Sequence, residues 1–234
     1  MKENKNIARL VGILFIVGTV SGILSAVFAS SFLTDPEYLT KISVNPTPMT
    51  IGAFFVLLMA VALALVPVVI YPVLKKHNET LAFGYVVFRG ALETFTYLIL
   101  VVSWILLIIL SQDFSKVATP DAPYFQTLGH LFLKSVEVAN TTTTIVFSLG
   151  AIMLYVVFYQ SKLIPRWLSI WGLGAVALHL CVSGFVGLFG LTHTDPAIKM
   201  ILSLPVFVPL LLQEMVMAVW LIVKGFNPPA TAQT

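Results

Sequence analysis

Five charged residues stand inside apolar stretches of this chain: Arg89, Glu93, Lys134, Glu137 and Glu214. At the centre of a membrane helix such a charge costs roughly 2.5–3.5 kcal/mol even on the lenient insertion scale, so these groups must face other helices or water. The chemistry open to them is that of acids, bases and counter-ions: a carboxylate exchanges a proton or holds a cation, and a guanidinium or ammonium holds an anion. Arg89 and Glu93 lie four residues apart and share a helical face, which Thr96, Leu100 and Ser103 extend. His130, Lys134, Glu137, Thr141, Thr144 and Ser148 follow one another at steps of three or four, a polar stripe on another helix. Gly172, Ala175, His179, Ser183 and Gly187 repeat that spacing with small residues around one imidazole. Gln213 and Glu214 lie about ten residues before the end of the last apolar run, roughly 15 Å deep at the helical rise.

These embedded charges sum to two positive and three negative, which leaves one negative charge without an opposite. A proton on one glutamate, a protonated His179 or a bound cation would balance it, and the sequence leaves all three open. Two roles fit the pattern. The charges are either a static lock that joins helices, or the lining of a cavity for a polar solute, an ion or a lipid headgroup. The binding or charge-network residues are therefore Arg89, Glu93, His130, Lys134, Glu137, Thr141, His179, Gln213 and Glu214.

The elements that must position them are transmembrane helices. Of the 234 residues 59% are hydrophobic and 10% charged, against about 45–50% and 25% in soluble domains. The apolar runs are long enough to cross a hydrocarbon core of about 30 Å. The reading is all-α: a polytopic bundle of about six transmembrane helices near residues 8–30, 49–71, 84–111, 127–159, 166–190 and 198–224. Breaks at Asp35-Pro36, Asn45 to Pro48, Pro72 to Asn78, Thr119 to Pro123, Lys162 to Pro165 and Thr194-Asp195-Pro196 separate them, each short enough to make neighbours antiparallel. Pro205 and Pro209 fall early in the sixth helix, Pro67 and Pro72 where the second ends, and all four are expected to produce kinks. Residues 1–226 form one membrane domain without an internal repeat, and 227–234 are expected to be a disordered tail.

Outside the helices, Lys2, Lys5, Arg9, Lys75, Lys76, Lys162, Arg166 and Lys224 share one side, and Lys41, Lys116 and Lys199 the other. Eight against three places both termini in the cytoplasm. The run from Leu10 to Phe28 is too long for a signal peptide, and Gly18, Gly22 and Ala26 suit packing against neighbours, so it is read as a retained first helix. Tyr155, Tyr159, Trp167 and Trp171 read as an aromatic belt at the inner boundary.

Several function classes drop out. The formal charge of +3 resides in loops and ends, not in a stripe interleaved with aromatics, so no nucleic-acid partner is expected. Cys181 is the one cysteine, which excludes a disulfide framework and a cysteine metal cluster. His130, His179, Glu93, Glu137 and Glu214 carry metal-binding groups without a ligand-spacing motif, so neither a metal nor any other cofactor is assigned. No Walker loop, dinucleotide turn, His-Glu-x-x-His pair or Gly-x-Ser-x-Gly elbow is present. His179 and Ser183 are one turn apart, as in a rhomboid-like hydrolase, but Cys181 stands where that family has its first motif glycine.

Four strings carry a resemblance: Ile7-Ala8-Arg9-Leu10-Val11-Gly12, Tyr71-Pro72-Val73-Leu74-Lys75, Phe88-Arg89-Gly90-Ala91-Leu92-Glu93 and Gln213-Glu214. In that order and spacing the chain resembles the bacterial membrane proteins grouped as domain of unknown function 4386, over nearly its whole length. The resemblance implies six helices in a bacterial cytoplasmic membrane and brings no activity with it. The functional expectation is a protein that binds or transports a small polar or amphiphilic solute through a polar interior, with proton coupling through Glu93, Glu137, His179 or Glu214. Arg89 and Lys134 would then hold anionic groups. The alternatives are an intramembrane enzyme acting on lipids and an accessory protein with a structural charge network. The expected partners are membrane lipids and that ligand; the number of subunits is left open.

Overall fold

The computed structural model describes residues 2–116, 122–190 and 196–228. The Thr119-Pro120-Asp121 break, the Thr194-Asp195 turn, residues 229–234 and the side chains of Lys2 and Lys199 lie outside the described residues. Among those described there is no strand. The helices are α1 (Lys2–Leu33), α2 (Tyr38–Val44), α3 (Thr47–Leu74), α4 (Glu79–Tyr85), α5 (Glu93–Phe114), α6 (Ala122–Ser161), α7 (Arg166–His179), α8 (Gly187–Gly190) and α9 (Pro196–Val223). Among the described residues, the π-helical stretches π1 (Val86–Leu92) and π2 (Leu180–Val186) join α4 to α5 and α7 to α8.

Six helical segments are long and apolar enough to cross a membrane: Glu3–Leu33, Thr47–Leu74, Glu79–Phe114, Pro123–Ser161, Arg166–Phe185 and Pro205–Val223. Their outer faces are apolar too. On α1, Leu10, Ile13, Val17, Val20, Ile23 and Val27 are all exposed at steps of three or four. In water that stripe would be an aggregation surface, whereas in a bilayer it meets acyl chains. The chain is a multi-pass helical membrane protein.

Several details depart from the sequence reading. The loop after the first span contains α2, which ends against a fixed pair: Lys41 Nζ lies 2.9 Å from Asp35 Oδ2 and 2.9 Å from the Ser31 carbonyl. The third and fifth spans each contain a π stretch, which apolar periodicity does not reveal. Asn227, where the tail was expected to begin, donates from its amide group to Lys162 O at 2.8 Å and from its backbone to Leu163 O at 2.8 Å.

The contacts divide the chain into two compact units. The first comprises residues 1–17, 62–94 and 141–234, the second residues 18–61 and 95–140. The first unit carries the charged cluster described below; α7 packs along α9 within it. The second has its own core of Phe32, Ile42, Met49, Val56, Leu100 and Trp104.

Candidate functional site

Arg89 lies within π1, the wide turn that interrupts the third span. Such stretches are rare and concentrate at functional sites, because the extra residue per turn re-aims side chains at a cost in hydrogen-bond geometry. Gly150 of α6 lets that turn approach closely: a Cβ there would lie 3.2 Å from the Arg89 backbone nitrogen. The guanidinium is thereby held in the protein interior, with its side chain 3% exposed.

Two carboxylates from different elements lie against it. Arg89 Nη1 donates to both carboxylate oxygens of Glu93, at 3.0 and 3.1 Å, and Glu93 is 1% exposed. Arg89 Nη2 lies 3.6 Å from Glu214 Oε1 on α9, a carboxylate that is 14% exposed. The first contact is a charge-assisted hydrogen-bonded pair; the second is electrostatic, beyond ordinary hydrogen-bond length. Phe147 of α6 and Phe15 of α1 flank the guanidinium, 4.6 and 5.9 Å from its carbon to the ring centroids. Those aromatic faces supply partial negative charge where water is excluded.

Beside the ions runs a neutral polar network. Tyr155 donates its hydroxyl proton to Gln213 Oε1, and Gln213 Nε2 donates to the Leu168 carbonyl at 3.1 Å, so one amide ties α9 to both α6 and α7. Tyr155 is buried, which corrects its assignment to the aromatic belt. Its ring lies over Gly172, where a Cβ would come within 2.7 Å of ring carbons. Tyr159 and Trp167 are exposed, with Arg166 stacked over Tyr159 at 5.2 Å. Tyr85 is fully buried among the same charges, Arg89, Glu93 and Glu214. The sequence reading passed over Tyr85 and placed Tyr155 in the belt, not among the polar residues of the interior. Both signals were present: Tyr85, Arg89 and Glu93 are spaced by four, and Tyr155 continues the stripe of Ser148 by seven.

The remaining candidates divide as follows. His179 belongs to the first unit, its ring edge-on to Phe147 at 6.0 Å and tilted against Phe207 at 6.4 Å. Its Nδ1 and the Ser183 Oγ are buried without hydrogen-bond partners, so the two do not form a nucleophile–base pair. Thr141 of the first unit is partly buried on α6.

In the second unit, Lys134 and Glu137 pair at 2.8 Å along α6, with side chains 49% and 28% exposed. Ser103 and Ser135 share a hydrogen bond of 2.8 Å between α5 and α6. His130 is exposed and borders a cleft of about 790 Å³ between the Pro36–Thr40 segment, Phe114 and the start of α6. Among the described residues no group of three or more His, Cys, Asp or Glu side chains is arranged to hold a metal ion.

No curated protein and no solved structure matches the chain. A family model matches residues 10–225, and the chain belongs to the family described as domain of unknown function (DUF4386).

Proposed function

We propose that this protein binds or moves a small polar or amphiphilic solute through a polar membrane interior, in a bacterial cytoplasmic membrane with both termini on the cytoplasmic side. One observation carries the reading. Arg89 faces two carboxylates from different elements, Glu93 and Glu214, in a place almost closed to solvent. A structural lock needs one opposite charge per cation, and the second carboxylate adds desolvation cost without a second cation among the described residues. Groups held at such a cost inside a bilayer commonly serve an ion or solute pathway. The lysine and arginine bias between loops supports the orientation.

The test is uptake of labelled solutes into proteoliposomes, with and without a pH gradient. Glu93→Gln and Glu214→Gln variants that remain folded are expected to lose uptake. A lipid-acting enzyme would instead change the lipid extract without any gradient, and that outcome would replace this reading. The second reading, an accessory protein with a structural charge network, is favoured by the two aromatic rings packed on Arg89. It predicts no flux and a protein partner retained on purification.

A further inference from the structure

The geometry around Arg89 distinguishes between its two carboxylates. Glu93 takes both hydrogen bonds from Nη1 and is 1% exposed. Glu214 stands 3.6 Å from Nη2, outside hydrogen-bond length, and is 14% exposed. Among the described residues one permanent cation faces two carboxylates, which leaves a net charge of −1 if both are ionised. A low-dielectric site does not hold that charge without a compensating one.

We propose that Glu214 is the proton-binding group of this cluster, taking up one proton at a carboxylate oxygen and releasing it to water. The role deepens the solute-binding reading above and rests on it; the chemistry stands on the geometry. The groups facing Glu214 come from every element around it. Arg89 and Glu93 form the closed pair, and the Tyr155 hydroxyl is committed to Gln213. Tyr85 is buried beside Arg89, Glu93 and Glu214 and brings a hydroxyl to the cluster. Phe15 of α1 lies against the Arg89 guanidinium and does not titrate.

A metal cation fits less well than a proton. Sodium or potassium bound at Glu214 would sit beside the Arg89 guanidinium and be repelled by it, whereas a proton forms a covalent O–H bond and leaves no separate ion. The other carriers expected from the sequence are placed differently. Glu137 already has Lys134 at 2.8 Å, and the His179 ring is enclosed by Phe147 and Phe207.

The experiment is infrared difference spectroscopy on the wild-type protein in lipid, titrated across pH, with the carbonyl band of a protonated carboxylic acid as the readout. Conservative shortening identifies the owner, because charge balance would remove the band in either Gln variant. Glu214→Asp is expected to shift the band, and Glu93→Asp to leave it in place. A band that moves with Glu93→Asp, or no band at any pH that keeps the fold, overturns the proposal. So does a missing band together with sodium-dependent thermal stability, which would assign the charge to a metal ion. Should Glu214→Asp fail to fold, dicyclohexylcarbodiimide, which reacts with protonated carboxyls, is applied to the wild type and the adduct mapped by mass spectrometry. Modification of Glu214 supports the assignment; modification of Glu93 alone, or of neither, overturns it. A band on Glu214 without solute flux would retain the proton site and remove transport, whereas flux without the band would do the reverse.

Discussion

Replacing Arg89 with alanine is the sharpest perturbation of the cluster. The substitution removes the cation that faces Glu93 at 3.0 Å and Glu214 at 3.6 Å, and leaves two buried carboxyl groups without it. Removing one partner of a buried ion pair costs about 3–5 kcal/mol, chiefly because the charge left behind is uncompensated. Glu93→Gln is different in kind. It leaves Arg89 against Glu214, one charge of each sign, and forfeits mainly charge-assisted hydrogen bonds, a loss of about 1.5–3 kcal/mol. Thermal unfolding in detergent, followed by intrinsic tryptophan fluorescence, reads the difference. At about 2–4 °C per kcal/mol for chains of this size, Arg89→Ala is expected to melt roughly 6–20 °C below the wild type. Glu93→Gln should melt between the two. The double variant Arg89→Ala, Glu93→Gln removes one of the stranded carboxylates and is expected to recover part of the loss. An Arg89→Ala protein as stable as Glu93→Gln, or more stable than the wild type, would refute the charge-counting argument.

Gly172→Ala places a methyl group within 2.7 Å of the buried Tyr155 ring, and overpacking of this kind costs about 1–3 kcal/mol; a matching fall in thermal midpoint is expected, with Gly174→Ala, where a Cβ meets nothing within 4 Å, as the control. Lys134→Ala breaks a half-exposed pair and should change stability by less than about 1 kcal/mol in the same assay, far less than Arg89→Ala. Asp35 is held below the ordinary carboxylate range by the Lys41 ammonium and the Glu37 backbone N–H. Its contribution is therefore present above the ordinary carboxylate pKa and lost as pH falls through the lowered value. Amide hydrogen exchange over α2, corrected for intrinsic pH dependence, should accelerate in strong acid, and Asp35→Asn should show that faster exchange already at neutral pH.

The sequence by itself determined the spans, because runs of apolar residues long enough to cross a bilayer have no stable alternative in water. It also exposed the Arg89–Glu93 and Lys134–Glu137 pairs, since residues three or four apart on a helix are neighbours whatever the tertiary fold. The short helix α2 went unread because seven residues carry too little periodicity, and π1 and π2 because an extra residue per turn leaves hydropathy unchanged. Tertiary structure alone decided that Glu214 of α9 faces Arg89, that Tyr85 is buried beside them, and that Tyr155 turns inward to Gln213 and not outward to a headgroup belt. The physical reason is that hydropathy fixes how deep a residue lies in the membrane, whereas the rotation and close approach of helices, here permitted by Gly150 and Gly172, fix which polar groups meet.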